Sequence, residues 1–147
     1  MVNPVEQFII RENDGLKKAI DKVKETVIKV SPNKEIEGCG FILTSDGLII
    51  TSLSLINSQK TDFQILDKDE KNDLALIKIE GRNLKTTSFA DFEKIEAGEK
   101  VFLIGVGNIV NEGIIKSLSD NKGTVPTNIF EKKSLENCPI FNLEAQF

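Results

Sequence analysis

From Gly38 onward the apolar residues are gathered into short, β-branched runs cut off by turn-forming residues, and that spacing confines the chain to a sheet protein. Candidate strands are Gly38 to Thr44, Leu48 to Leu53, Phe63 to Asp67 and Leu74 to Ile79, set apart by Ser45-Asp46-Gly47 and by the polar run Lys68 to Asn72. Valine, isoleucine and threonine suit a pleated, half-buried surface, and Asp-Gly closes a tight turn. A second set follows at Lys100 to Val106, Val110 to Leu118, Thr127 to Phe130 and Cys138 to Glu144. Many short strands at close intervals predict a barrel or a sandwich. Gly81 to Gly98 reads as a linker between the two sets, with a helical turn around Phe89 to Lys94. Gly105 and Gly107 suggest a phosphate loop, but no amphipathic helix follows and the third glycine is missing, so a turn between strands is the better reading.

Ahead of the strands, Leu16, Ile20, Val23 and Val27 recur at intervals of three and four. That period predicts a short amphipathic helix over Gly15 to Lys29, with Asp14 as its N-cap. Val27 to Val30 shifts toward β-branched residues and Pro32 closes it, so a helix packed on a first strand is expected.

Composition excludes several classes of function. With 39% hydrophobic and 29% charged residues among 147, the chain can bury a core. Its net charge of −4 argues against a nucleic-acid surface. No apolar run approaches the ~20 residues of a membrane span. No basic segment followed by an apolar stretch opens the chain, so no secretory signal is visible. No cofactor motif is found. The two cysteines, Cys39 and Cys138, read on their own as small buried apolar residues. Histidine is absent altogether.

Four blocks carry a family resemblance. Gly38-Cys39-Gly40-Phe41-Ile42-Leu43-Thr44-Ser45-Asp46-Gly47-Leu48-Ile49-Ile50-Thr51 is similar to the strand-turn-strand that opens the first barrel of trypsin-like serine proteases of the Deg/HtrA type. Asn72-Asp73-Leu74-Ala75-Leu76 resembles that family's Asp-Leu-Ala motif. Gly98-Glu99-Lys100-Val101-Phe102-Leu103-Ile104-Gly105 with Glu112-Gly113-Ile114-Ile115-Lys116-Ser117 resembles the first hairpin of its second barrel. Pro139-Ile140-Phe141-Asn142-Leu143-Glu144-Ala145-Gln146 resembles the segment after the nucleophile motif Gly-Asn-Ser-Gly-Gly-Pro. The blocks stand in the family's order over roughly residues 24 to 147.

The resemblance implies an all-β double barrel of the trypsin/chymotrypsin type, trimmed or incomplete, with a short N-terminal helix. Residues 1–13 then form an extension, 14–80 the helix and first barrel, 81–98 the linker and 99–147 an incomplete second barrel. Only 18 residues separate Ser54 from Asp73, which leaves one hairpin too few, and Phe147 falls where a further strand would begin. An unfinished sheet leaves unpaired N–H and C=O groups, to be covered by the helix, by a partner's strands or by further chain.

At the catalytic positions the match implies Ser54 in place of the histidine, Asp73 as the retained aspartate, and Glu136 where the nucleophilic serine belongs, with Ser134 two residues away. A serine hydroxyl attacks only when a base within hydrogen-bond reach takes its proton, and Ser54 cannot serve as that base. Glu136 is an anion at the attacking position, and Asn137 and Cys138 carry β-carbons where glycines aim N–H groups at an oxyanion. Asp73 also has a plain structural role open to it, capping a turn. Lys132 or Lys133 beside Ser134 suggests a Ser-Lys dyad, yet the run Glu131 to Glu136 reads as a charged, solvated loop and such a lysine must be desolvated. Ser54, Asp73 and Glu136 offer too few oxygen ligands for a hard cation, so no metal is expected. The alignment also brings Cys39 and Cys138 within disulfide reach, favoured in an exported protein and disfavoured in the cytosol.

The resulting expectation is a catalytically inactive Deg/HtrA-like domain, a pseudoprotease, acting in protein or extended-peptide interaction, regulation or scaffolding through strand addition. Homo-oligomer formation and a periplasmic or other extracytoplasmic location follow from the resemblance. The alternative is a hydrolase with a non-standard nucleophile, Ser134 or Cys138.

Overall fold

The computed structural model describes residues 4–32, 36–57, 63–107, 109–118, 124–129 and 138–147, with 4–12 and 57 described by their backbone alone. Helix α1 (Pro4–Val23) starts well ahead of the expected Asp14 cap and takes in residues assigned above to an extension. Proline suits a first helical turn, because its fixed φ is helical and its missing N–H would go unbonded there. Gly15 costs the helix about 1 kcal/mol in propensity but does not break it. α1 also stops short of Lys29. A 3₁₀ turn over Lys24–Thr26 follows, and buried Thr26 donates its hydroxyl to the Val23 carbonyl at 2.6 Å, satisfying one of the helix's orphan acceptors.

The strands are β1 (Val27–Val30), β2 (Gly38–Ile42), β3 (Leu48–Ser52), β4 (Gln64–Asp69), β5 (Leu74–Lys78), β6 (Lys100–Ile104), β7 (Val110–Ile114) and β8 (Ile140–Asn142), with a one-turn helix α2 (Leu53–Asn57) after β3. All pairings are antiparallel. One sheet has the order β1-β2-β3-β5-β4 and the other β7-β6-β8. Neither closes among the described residues, so the expected pair of barrels is replaced by two open sheets. Closure requires enough tilted, staggered strands for the last to meet the first, and three in the second sheet are too few. The expected strand Thr127 to Phe130 is reduced to one bridge, Ile115 to Thr127, with Phe130 outside the described residues. Pro126 has no N–H for a ladder, and the Asn128 side chain takes the Ile114 N–H at 2.7 Å instead of a strand doing so.

Three apolar clusters hold the sheets together. Ala19 and Val23 of α1 meet Phe41 of the first sheet and Phe102, Ile104 and Phe141 of the second. Phe102 and Phe141 lie 5.7 Å apart in a stacked pair. Burying each of these large side chains is worth about 1.5–3 kcal/mol. Val30, Ile42, Ile49, Leu53, Ile56, Ala75 and Ile77 form the interior of the first sheet and α2. Gly40 permits this packing: a Cβ there would lie 2.7 Å from Val30 Cγ2 and 2.9 Å from Ile49 Cγ2. In the third cluster Cys39 is joined to Cys138, with Cα atoms 5.0 Å apart, beside buried Leu103. This bond ties β2 to the residues that lead into β8.

The linker carries its 3₁₀ turn over Phe92–Lys94, capped by Asp91, whose carboxylate accepts the Glu93 N–H at 3.1 Å. Residues 143–147 fold back onto it. Phe147 donates its N–H to Ser88 and accepts the Ala90 N–H, at 3.0 and 2.9 Å. Its ring stacks on Phe41 at 4.3 Å. The Val106-Gly107 segment is a turn between β6 and β7, with Gly107 at φ +81°, where a side chain is strained. No helix among the described residues is long and apolar enough to cross a membrane.

Candidate functional site

β3 ends at Ser52, α2 begins at Leu53, and Asp73 stands immediately before β5. The β3–β5 register sets Ser52 against Leu74, so Asp73 is delivered to the first turn of α2. The Leu53 N–H donates to the Asp73 carbonyl at 3.1 Å and locks this corner. Asp73 adopts φ +56°, a left-handed conformation that aspartate tolerates better than most residues.

Its carboxylate accepts three hydrogen bonds. Oδ2 receives the Ser52 hydroxyl at 2.6 Å and the Ser54 hydroxyl at 2.8 Å, and Oδ1 receives the Ser54 backbone N–H at 2.7 Å. The two hydroxyl oxygens are 2.9 Å apart. Partial burial pushes the Asp73 pKa up. The hydroxyls of Ser52 and Ser54 and then the Ser54 N–H more than offset this and hold it below the ordinary 3.8.

Chemically this is a carboxylate held by three donors. Both hydroxyls spend their protons on a carboxylate too weakly basic to remove them, so neither serine is activated. The structure therefore brings Ser54 and Asp73 into direct contact. Ser134 and Glu136 lie outside the described residues, as do Lys132 and Lys133. Cys138 is bonded to Cys39, and a disulfide sulfur offers no thiolate for attack. No cluster of three or more metal-ligating side chains occurs among the described residues. Sequence reasoning missed Ser52, which is 2% exposed. The signal was its place at the end of a mostly apolar strand, where a buried hydroxyl needs a partner.

Beside this corner a cavity of about 500 Å³ lies between the two sheets. Ser52 and Asp73 border it on the first sheet and Ile140 to Asn142 of β8 on the second. Its walls are apolar, with Phe41, Val101, Ile115 and Phe147 among them and half-exposed Phe92 at the rim. The volume is in the range of small-ligand sites. Residues from both sheets create this space.

No family model matches the chain. It is 30% identical over 130 residues to a probable periplasmic serine endoprotease, DegP-like, of Pseudomonas putida, covering 74% of this chain and 27% of that protein. A protein of the same description from Rhizobium meliloti is 29% identical over 132 residues, covering 75% of this chain and 26% of its own length. The chain thus spans about a quarter of the length of the curated relatives it matches. Among solved structures, the crystal structure of Deg5 superposes with a TM-score of 0.81 at 19% identity, covering 92% of this chain and 83% of that one. The HtrA-type protease AlgW with tripeptide gives 0.77 at 18% identity, covering 90% and 52%. The homologues and structural neighbours of this chain are trypsin-like serine proteases of the HtrA/DegP type, and its mostly β fold is theirs.

Proposed function

We propose that this domain is a pseudoprotease of the HtrA/DegP type that binds protein or extended peptide and does not hydrolyse it. One observation carries the reading: where the resemblance implies the catalytic histidine stands Ser54, hydrogen-bonded to the retained Asp73 in a chain without a single histidine. A triad aspartate works by orienting an imidazole and stabilising its charged form. Here the same carboxylate is occupied by two hydroxyls and a backbone amide, and no neutral base adjoins it among the described residues. The Cys39–Cys138 bond suits an oxidising compartment, and the relatives are named as periplasmic, so the domain is assigned outside the cytoplasm.

The test is incubation of the pure protein with unfolded, fluorescently labelled casein, alongside labelling by a fluorophosphonate. Neither cleavage nor labelling is expected. Cleavage that disappears in Ser134→Ala overturns the reading and makes Ser134 the nucleophile of an unusual hydrolase.

A further inference from the structure

We infer that Cys138 is a modification site: a small, positively charged thiol reaches it through the cavity, opens its bond to Cys39 and stays attached as a mixed disulfide. This goes beyond the reading of the domain as a peptide binder and does not depend on it.

The two ends of the bond are held differently. Cys39 lies inside β2, paired with Lys29 of β1, and its neighbour Gly40 is paired with Thr51 of β3. The Thr51 hydroxyl donates to the Cys39 carbonyl at 2.9 Å, and Cys39 is 2% exposed. Cys138 stands outside any ladder, ahead of the three-residue strand β8. It is 7% exposed and lines the cavity, which Cys39 does not. A thiolate attacks the disulfide sulfur it can reach, so approach through the cavity selects Cys138. A space of about 500 Å³ admits a small molecule and no folded reductase.

In the exchange the incoming thiolate sulfur bonds to the Cys138 sulfur, the Cys39–Cys138 bond breaks, and its electron pair leaves on the Cys39 sulfur, which takes a proton from water. One disulfide replaces another, so no oxidant or reductant is consumed. Leu103, Val27, Val106, Ile129 and Ile140 pack around the pair. In apolar surroundings a thiol keeps its proton, so the freed Cys39 is a poor nucleophile for the reverse attack and the mixed disulfide persists.

Charge selects the thiol. Asp73 and Glu99 border the cavity, and no lysine or arginine does among its described lining residues. Three donors hold the Asp73 carboxylate, and the Glu99 carboxylate accepts the Glu96 N–H at 3.1 Å. An aminothiol is drawn to this rim and an anionic thiol is repelled.

The experiment treats the whole oxidised chain with cysteamine, 2-mercaptoethanol or 2-mercaptoethanesulfonate, quenches with N-ethylmaleimide and locates the adduct by peptide mass spectrometry. Each rate is divided by that of the same thiol with bis(2-hydroxyethyl) disulfide, an open and neutral reference, which removes intrinsic reactivity. We expect the adduct on Cys138, with Cys39 recovered as its maleimide derivative. Cysteamine should lead mercaptoethanesulfonate by about two- to fivefold, as for a partly screened ion pair. Glu99→Gln should shrink that ratio and leave the mercaptoethanol rate unchanged, since glutamine keeps an oxygen to accept the Glu96 N–H. Urea too dilute to unfold the chain should leave the rates unchanged, as for attack on the native protein. An adduct on Cys39 or divided between the two cysteines, equal normalised rates for the cationic and anionic thiols, or a ratio untouched by Glu99→Gln each overturns the site. So does a rate that climbs with urea in step with global unfolding, or no reaction at all. None of these readouts involves casein cleavage, so failure here is distinguishable from failure of the non-hydrolytic reading.

Discussion

Asp73 shows how one residue can keep a motif position while its carboxylate is engaged by neighbouring backbone and hydroxyl groups. In a triad its charge would serve an imidazole, but here it fixes the end of β3 and the first turn of α2 through Ser52, Ser54 and the Leu53 amide. Asp73→Ala removes the acceptor for two hydroxyls and an N–H, and should cost about 2–3 kcal/mol in urea denaturation at pH 7. The pH dependence has a definite sign. The folded carboxyl titrates below its ordinary 3.8, so its contribution is fully present above that value and is lost as pH falls through the depressed folded value. The stability curves of wild type and Asp73→Ala should therefore converge as the pH falls from 3.8 through the depressed folded value, and a gap that persists unchanged in acid would show that the carboxylate charge is irrelevant. Ser54→His tests the catalytic side: with Glu136 at the attacking position an imidazole beside Asp73 should still give no casein cleavage, and cleavage would put the alternative, Ser134, at that position. Ser54 and Asp73 were legible because each sits at a fixed offset from a motif. Ser52 was not, because its bond to Asp73 spans 21 positions and depends on the β3–β5 register.

At the scale of elements, the strands were legible wherever a turn signal bounded them. Ser45-Asp46-Gly47 between β2 and β3 is such a case, and β1 followed from the change to β-branched residues at Val27. Legibility failed where a side chain or a proline competes with the ladder, as at Pro126 and Asn128, and at the start of α1, where Asp14-Gly15 looks like a helix boundary but lies in mid-helix. The elements that are formed depend on two close contacts between them. Gly40→Ala sets a methyl against Val30 and Ile49 on neighbouring strands and should destabilise by about 1–3 kcal/mol in the same denaturation. The Cys39–Cys138 bond closes a loop with a sequence separation of 99, and a loop that long restrains the unfolded chain strongly. The double substitution to alanine should cost about 2–5 kcal/mol, and wild type in reducing buffer should shift by a similar amount while the variant does not.

For the whole molecule, the feature least visible in sequence is the way two open sheets share one interior. Closure or its absence is decided by which distant strands find one another and in what stagger, and neither is written in any local pattern. The outcome here is a core in which α1, Phe41 of the first sheet and Phe102 and Phe141 of the second are mutually buried. Neither sheet can then lose its partner without exposing part of its own apolar face, so the described fold should unfold as one unit. Phe102 sits at the centre, 0% exposed, and Phe102→Ala should remove about 3–5 kcal/mol, a large share of the 5–15 kcal/mol typical of a domain. The chain has no tryptophan and no tyrosine, so the measurement is far-UV circular dichroism, read where helix dominates and where strand dominates, together with exchange of backbone amides in β2 and β6. Coincident midpoints at both wavelengths, and equal acceleration of exchange in the two sheets by Phe102→Ala, are the expected result. If β6 is released while β2 keeps its protection, the two sheets are separable units, and the cavity between them would be a gap between independent bodies and not a site built into one fold.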